Sequence, residues 1–142
     1  MPEIAGLKVL FIAGFGPIVR NGDSSAFYRD ALGLPLKTQP GANEAYLHSE
    51  AIPGVKHFAL WPLSEAAKSC FGVPEWPKSV PEPQAWMEAD VEDLATASEV
   101  LKQKGYTLLV DNRREPWGQT VTRLLSPENV LIGLTITPWL RG

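Results

Sequence analysis

The stretch EPWGQTVTRLLSPENVLIGLTI, residues 115–136, decides how this chain folds. Residues 120–125 and the apolar run at 130–137 are rich in β-branched and aliphatic side chains, so both predict strands. The segment between them, Ser-Pro-Glu-Asn at 126–129, consists of residues typical of tight turns. We therefore predict a C-terminal hairpin, preceded by a turn at Pro116-Trp117-Gly118.

Upstream of the hairpin, the same signals predict two similar sets of elements. Gly14, Gly16 and Pro17 interrupt the first strand and indicate a bend or bulge. The first set comprises a strand at 4–19, a helix at 24–32, strands at 34–38, 45–48 and 55–61, and a short helix at 65–70 capped by Ser64. The second comprises a strand at 84–89, a helix at 91–104 ending before Gly105, and strands at 106–110, 120–125 and 130–137.

A proline-rich segment separates the two sets. Four prolines lie within residues 72–83, which excludes a central strand or a helix interior there. We predict a first module at residues 1–71, a linker at 72–83 and a second module at 84–142. Each module is too small to bury a sheet face alone, so the two are expected to share one α+β domain.

Composition limits the possible partners. The 142 residues carry a net charge of −3 without a cluster of basic residues, which argues against nucleic acid. No apolar run approaches the roughly 20 residues of a membrane span. The single cysteine excludes an internal disulfide, and the N-terminus has no pattern typical of a secretory signal, so we expect a cytoplasmic protein.

Two motifs together resemble a known superfamily. The C-terminal hairpin and the segment FYRDALGL at 27–34 are similar to the glyoxalase / bleomycin-resistance / extradiol-dioxygenase proteins, the vicinal-oxygen-chelate superfamily. The resemblance spans about residues 8–141. It implies two βαβββ modules whose curved mixed sheets enclose a groove, and commonly a homodimer.

The resemblance also implies where a metal would be bound. Metal-dependent relatives place four ligands on inward-facing strand positions, which here fall on Gly14, Ala59, Trp86 and Gly133. None of these side chains offers the imidazole or carboxylate donor that a divalent ion needs. We therefore expect no metal at the standard site and predict no cofactor; a displaced divalent-metal site is the alternative.

His57 and Glu88 are the candidates for chemistry. Strand alternation places His57 on the same face as Trp61, and Glu88 on the same face as Trp86. A His57–Glu88 pair could bind a metal or transfer protons to a bound substrate. The alternative is that His57 hydrogen-bonds a neighbour and Glu88 pairs with an arginine. Glu44 and His48, beside a turn, are expected to be exposed polar residues.

Aromatic side chains are the other candidates. Trp61, Trp86 and Trp117 are predicted to line the groove, because an indole offers a flat apolar face and a polar handle; core packing is the alternative. Arg123 could face the groove and bind an anionic group, or lie solvated at an edge.

These residues suggest two functions. The first is metal-free binding or sequestration of a planar or amphipathic small molecule. The second is an enzyme, namely a lyase, isomerase or dioxygenase with a displaced metal site or with acid–base chemistry.

Overall fold

The computed structural model describes residues 7–41, 43 and 45–141. In its first half, a long strand is followed by a short helix, three short strands and a second helix. The bounds are β1 Val9–Val19, α1 Asp23–Ser25 continued by a π-helical turn at Ala26–Ala31, β2 Lys37–Thr38, β3 Leu47–Ser49, β4 Phe58–Pro62 and α2 Leu63–Phe71. The predicted start of the first strand at Ile4 and the residue Glu44 lie outside the described residues.

The second half repeats this order of elements. Its bounds are β5 Ala85–Val91, α3 Leu94–Gln103, β6 Val110–Arg114, β7 Thr120–Leu125, β8 Leu131–Ile136 and a 3₁₀ turn at Pro138–Leu140. The predicted hairpin is confirmed, and every strand residue from 120 to 125 pairs with β8. Residues 72–83 contain neither helix nor strand.

Within the described residues, eight strands form one curved, open sheet in the order β2-β3-β4-β1-β5-β8-β7-β6, which confirms the α+β class. The two halves join where β1 pairs antiparallel with β5. Within each half, the first strand runs parallel to the last, β1 beside β4 and β5 beside β8. The sheet register shifts twice along β1, before Phe11 and before Gly14, so the predicted bulge is confirmed.

Close backbone contact explains one glycine of β1. A side-chain carbon at Gly16 would overlap the carbonyl of Ala59 on the neighbouring strand. Only glycine allows β1 and β4 to approach so closely.

Three sequence expectations need correction. Ser64 lies inside α2, whose N-cap is Pro62 with no side-chain hydrogen bond. The strand predicted at 106–110 forms instead at Val110–Arg114, as β6. The prediction missed it because four of these five residues are exposed and the segment shows no apolar alternation. The helix predicted from Val91 begins after Asp93, whose carboxylate accepts a hydrogen bond from the Thr96 backbone.

Buried residues form three clusters along the sheet and under the helices. The largest lies where α2 covers the sheet, around Ala66, Ala67 and Trp86. No helix among the described residues is long and apolar enough to cross a membrane.

Candidate functional site

One cavity of about 820 Å³ lies on the inner face of the sheet. This volume lies within the range of small-molecule sites. Its walls come from strands β3, β4, β5 and β7, from α2, and from the 3₁₀ turn that carries Trp139. The candidates from the sequence all line it: His57, Trp61, Trp86, Glu88, Trp117 and Arg123.

A buried ion pair occupies one wall. The Arg123 Nη1 atom donates to Glu88 Oε2 at 2.9 Å, and Arg123 is only 1% exposed. Arg123 Nε donates to the hydroxyl of Ser69 on α2, and the guanidinium lies 4.8 Å from the Trp61 ring centre. Arg123 is therefore not a solvated edge arginine, because its guanidinium is held in an ion pair on the cavity wall.

Glu88 has both carboxylate oxygens engaged. Gln119 Nε2 donates to Oε1 at 2.8 Å while Arg123 holds Oε2. Gln119 in turn accepts a hydrogen bond from the Trp117 indole at 2.8 Å. This network of four side chains, the Glu88 network, fixes the orientation of Trp117 at the cavity.

A second polar group lies on β3, on the residues that flank it, and immediately before β4. Glu50 Oε2 is 2.8 Å from His48 Nδ1 and 2.6 Å from His57 Nδ1. The Tyr46 hydroxyl is 3.1 Å from His57 Nε2. We call Tyr46, His48, Glu50 and His57 the histidine cluster. All four line the cavity.

Burial and charge set the protonation of two members of this cluster. Burial, with added repulsion from the carboxylates of Glu88 and Glu50, raises the pKa of Tyr46 well above its ordinary value. The phenol therefore stays neutral. Burial also acts to raise the pKa of Glu50, but hydrogen bonds with His48 and His57 outweigh it and lower the pKa below its usual value.

Four tryptophans line the cavity. Trp86 is 4% exposed and donates from its indole nitrogen to the Ala59 carbonyl at 3.1 Å. The Trp61 and Trp86 rings meet edge to face, with centres 6.1 Å apart. Trp117 and Trp139 are more than half exposed, so much of their side-chain surface is accessible to a ligand.

The four standard ligand positions carry no donor side chain in this fold. Ala59 is fully buried, and the single nitrogen of the Trp86 side chain is bonded to its carbonyl. A side-chain carbon at Gly14 would lie 2.7 Å from the His57 carbonyl oxygen. At Gly133 it would lie 2.9 Å from Glu88 Cγ. Backbone and the Glu88 network thus fill the space where a ligand side chain would project.

The expected His57–Glu88 pair is not formed. His57 is bonded to Glu50 and Tyr46, and Glu88 to Arg123 and Gln119. These contacts match the alternative given from the sequence, in which His57 hydrogen-bonds a neighbour and Glu88 pairs with an arginine.

Sequence reasoning missed several cavity residues. His48 was expected to be an exposed polar residue, yet its side chain is 12% exposed and belongs to the histidine cluster. The two-residue spacing of Tyr46, His48 and Glu50 was the available signal, because it places all three on one face of an extended chain. Trp139 follows the last strand, and no pattern in the sequence indicated its position.

Comparison with known proteins identifies the fold. A crystal structure of a glyoxalase/bleomycin resistance protein/dioxygenase superfamily member from Vibrio splendidus 12B01 has a TM-score of 0.56 at 15% identity, covering 91% of this chain and 97% of that one. Methylmalonyl-CoA epimerase from Mycobacterium tuberculosis has a TM-score of 0.56 at 23% identity, covering 98% and 96%. A Streptomyces coelicolor methylmalonyl-CoA epimerase variant in complex with 2-nitronate-propionyl-CoA has a TM-score of 0.53 at 16% identity, covering 94% and 98%.

At these identities the structures show a shared fold only. No curated protein matches the sequence significantly. The model of one family, Glyoxalase/Bleomycin resistance protein/Dioxygenase superfamily, matches residues 22–134, most of the chain. The chain therefore belongs to the glyoxalase/bleomycin resistance protein/dioxygenase superfamily.

Proposed function

We propose that this protein binds a planar or amphipathic small molecule in the cavity and holds it by shape and stacking. The observation that carries the proposal is the combination of a cavity of about 820 Å³ with four lining tryptophans. Aromatic rings bury large apolar areas and favour stacking on flat ligands. Sequestration of this kind needs affinity alone and no metal at the four standard positions.

The charges of the lining favour a ligand without a strong negative charge. Each lysine and arginine of the lining is paired with an acidic residue, in the pairs Arg123–Glu88, Arg113–Glu115 and Lys68–Glu65. A ligand anion at Arg123 would have to compete with Glu88 for a buried guanidinium, which costs free energy. The four glutamates of the lining also outnumber its three lysine and arginine side chains. We therefore expect neutral or weakly cationic aromatic compounds to bind best.

A thermal-shift screen of planar aromatic compounds tests this proposal. At 100 times its dissociation constant, a compound should stabilise the fold by about 2.7 kcal/mol, which gives a clear rise in Tm. Trp117→Leu and Trp139→Leu should each weaken binding roughly threefold to tenfold, since each removes a stacking surface.

Tyr106→Leu is the matched control, because Tyr106 is 50% exposed and is not part of the cavity lining. Its affinity should equal that of the unaltered protein. A screen without any stabilising compound, or equal loss of affinity in all three variants, would count against the proposal.

An enzyme that moves a proton on its substrate is the second candidate. The specific observation is the 2.6 Å contact between Glu50 and His57 at the cavity, which joins a carboxylate to an imidazole, two side chains that can accept and donate protons. Glu88 is expected to contribute less to proton transfer, because both its carboxylate oxygens already accept hydrogen bonds. The similar fold of methylmalonyl-CoA epimerase suggests a first substrate to try.

Deuterium uptake tests this candidate. Methylmalonyl-CoA is incubated with the protein in D₂O and its mass is followed. Exchange should require Glu50 and His57, so Glu50→Gln and His57→Gln should slow it by roughly 10²-fold or more. Exchange at the same rate in both variants, or none with the unaltered protein, would remove methylmalonyl-CoA epimerisation as a function.

We also propose a cytoplasmic homodimer. The one cysteine, Cys70, is free and buried, as expected in a reducing compartment. Several apolar side chains of β1 are exposed on the central part of the sheet, and a second copy could cover them.

A further inference from the structure

The chain contains only two histidines, and the fold brings both to one carboxylate. His48 comes from β3, His57 lies immediately before β4, and Glu50 follows β3. One donor atom from each of the three residues lies within 4.8 Å of the other two. The convergence depends on the pairing of β3 with β4, since His57 lies seven residues beyond Glu50.

We propose that His48, Glu50 and His57 form a binding site for a divalent transition-metal ion, displaced from the four standard positions. Two imidazoles and one carboxylate are donors that suit ions such as Zn²⁺, Co²⁺ and Fe²⁺. Mg²⁺ and Ca²⁺ prefer oxygen ligands, so they are expected to bind weakly.

The spacing of the donor atoms is close to what such an ion requires. With metal–nitrogen distances of about 2.0–2.1 Å, neighbouring ligand atoms lie roughly 3.0–3.4 Å apart. The Glu50 oxygen is now 2.8 Å and 2.6 Å from the two imidazole nitrogens. The Glu50 oxygen therefore has to move away from each nitrogen by less than about 1 Å, and the two imidazole nitrogens, which lie within 4.8 Å of one another, have to reach the same spacing. The Glu50 side chain, 43% exposed, has room for this adjustment.

The surrounding residues orient both imidazoles. His57 presents Nδ1 to Glu50 while its Nε2 lies 3.1 Å from the Tyr46 hydroxyl. A hydrogen bond at the far nitrogen of a metal-binding histidine is the usual way to fix its tautomer. The Tyr46 ring also stacks on His48, with ring centres 5.6 Å apart. Pairing of His48 with Ala59 across β3 and β4 fixes the backbone beneath.

Three protein ligands leave coordination positions open, and all three side chains line the cavity. An ion here would face a molecule held against the tryptophans, and would supply Lewis acidity in the enzymatic alternative. The inference goes beyond the proposed binding function, which requires no metal. The test measures metal binding without any small molecule present, so a negative result leaves the proposed binding function intact.

The experiment is a titration of untagged full-length protein with Zn²⁺ by calorimetry and with Co²⁺ by visible absorption. We expect about one equivalent to bind, with a Co²⁺ spectrum typical of nitrogen and oxygen ligands. His48→Ala, His57→Ala and Glu50→Gln should each weaken binding by more than about 100-fold, and Tyr46→Phe by about 10-fold.

Glu65→Gln is the matched control, because Glu65 lines the same cavity but bonds Lys68 rather than a histidine. It should bind like the unaltered protein. Should a histidine variant fail to fold, Glu50→Gln still decides the matter, since its side chain is substantially exposed. Absence of Zn²⁺ and Co²⁺ binding at millimolar metal, or full affinity in Glu50→Gln and His48→Ala, overturns the site.

Discussion

Replacement of Arg123 by methionine should destabilise the protein far more than replacement of an exposed charge. Arg123 is 1% exposed and Glu88 15% exposed. In the Arg123→Met variant, the Glu88 carboxylate loses its ion pair but keeps its hydrogen bond from Gln119. Removing one partner of a buried pair costs about 3–5 kcal/mol, and the remaining hydrogen bond favours the lower end, about 3 kcal/mol.

Urea unfolding followed by far-ultraviolet circular dichroism measures this loss. All variants are compared at one protein concentration, because a dimer would make stability concentration-dependent. Glu82→Gln is the control, since the Arg20–Glu82 pair has side chains 34% and 54% exposed. Exposed pairs contribute at most about 1 kcal/mol.

A double-mutant cycle separates the ion pair from the packing of the arginine. Arg123→Met and Glu88→Gln should be non-additive, with a coupling free energy of about 1–3 kcal/mol. The reasoning would be refuted if Arg123→Met cost no more than Glu82→Gln, or if the two effects simply added.

Three further predictions concern other parts of the molecule. Gly16→Ala should lower the free energy of unfolding by about 3 kcal/mol, because the added methyl would overlap the Ala59 carbonyl; urea unfolding measures this. Burial raises the pKa of the Cys70 thiol to about 11, so at pH 8 only about 0.1% is thiolate and a disulfide reagent should label it only after unfolding. Ile12→Lys, on the exposed apolar part of β1, should convert the proposed dimer to a monomer in light scattering.

Each of these has a result that contradicts it. For the glycine, the control is Gly22→Ala, whose new carbon meets nothing within 4 Å; equal stability of the two variants would mean that β1 and β4 are not closely packed. Rapid labelling of Cys70 in the folded protein would show that the thiol is accessible. A monomer before substitution, or an unchanged dimer after it, would exclude β1 as the interface.

Local signals in the sequence were sufficient for the elements with strong patterns. The strand at 120–125 has the predicted bounds, because its β-branched and aliphatic composition and the turn that follows it are both local properties. The end of α3 before Gly105, which has a positive φ, also follows from local capping chemistry, whereas its start at Leu94 lies three residues later than predicted. Weak patterns failed, as in the exposed edge strand Val110–Arg114.

The partners of the site residues could not be read from the sequence. Strand alternation placed His57 and Glu88 on the inner face, but which side chain each would contact depends on the order of the strands. β8 lies between β5 and β7, and its Gly133 leaves room for Arg123 to reach Glu88 across it. His57 instead contacts Glu50 and Tyr46.

The sequence by itself determined the superfamily, the two similar halves and the absence of donor side chains at four positions, because these depend on residue types and local spacing. Only the tertiary structure decided that Arg123 is buried in an ion pair and that His48 joins His57 around Glu50. The physical reason is that burial and hydrogen bonding of a polar side chain depend on the strands and helices packed around it, which here lie up to 54 residues away along the chain.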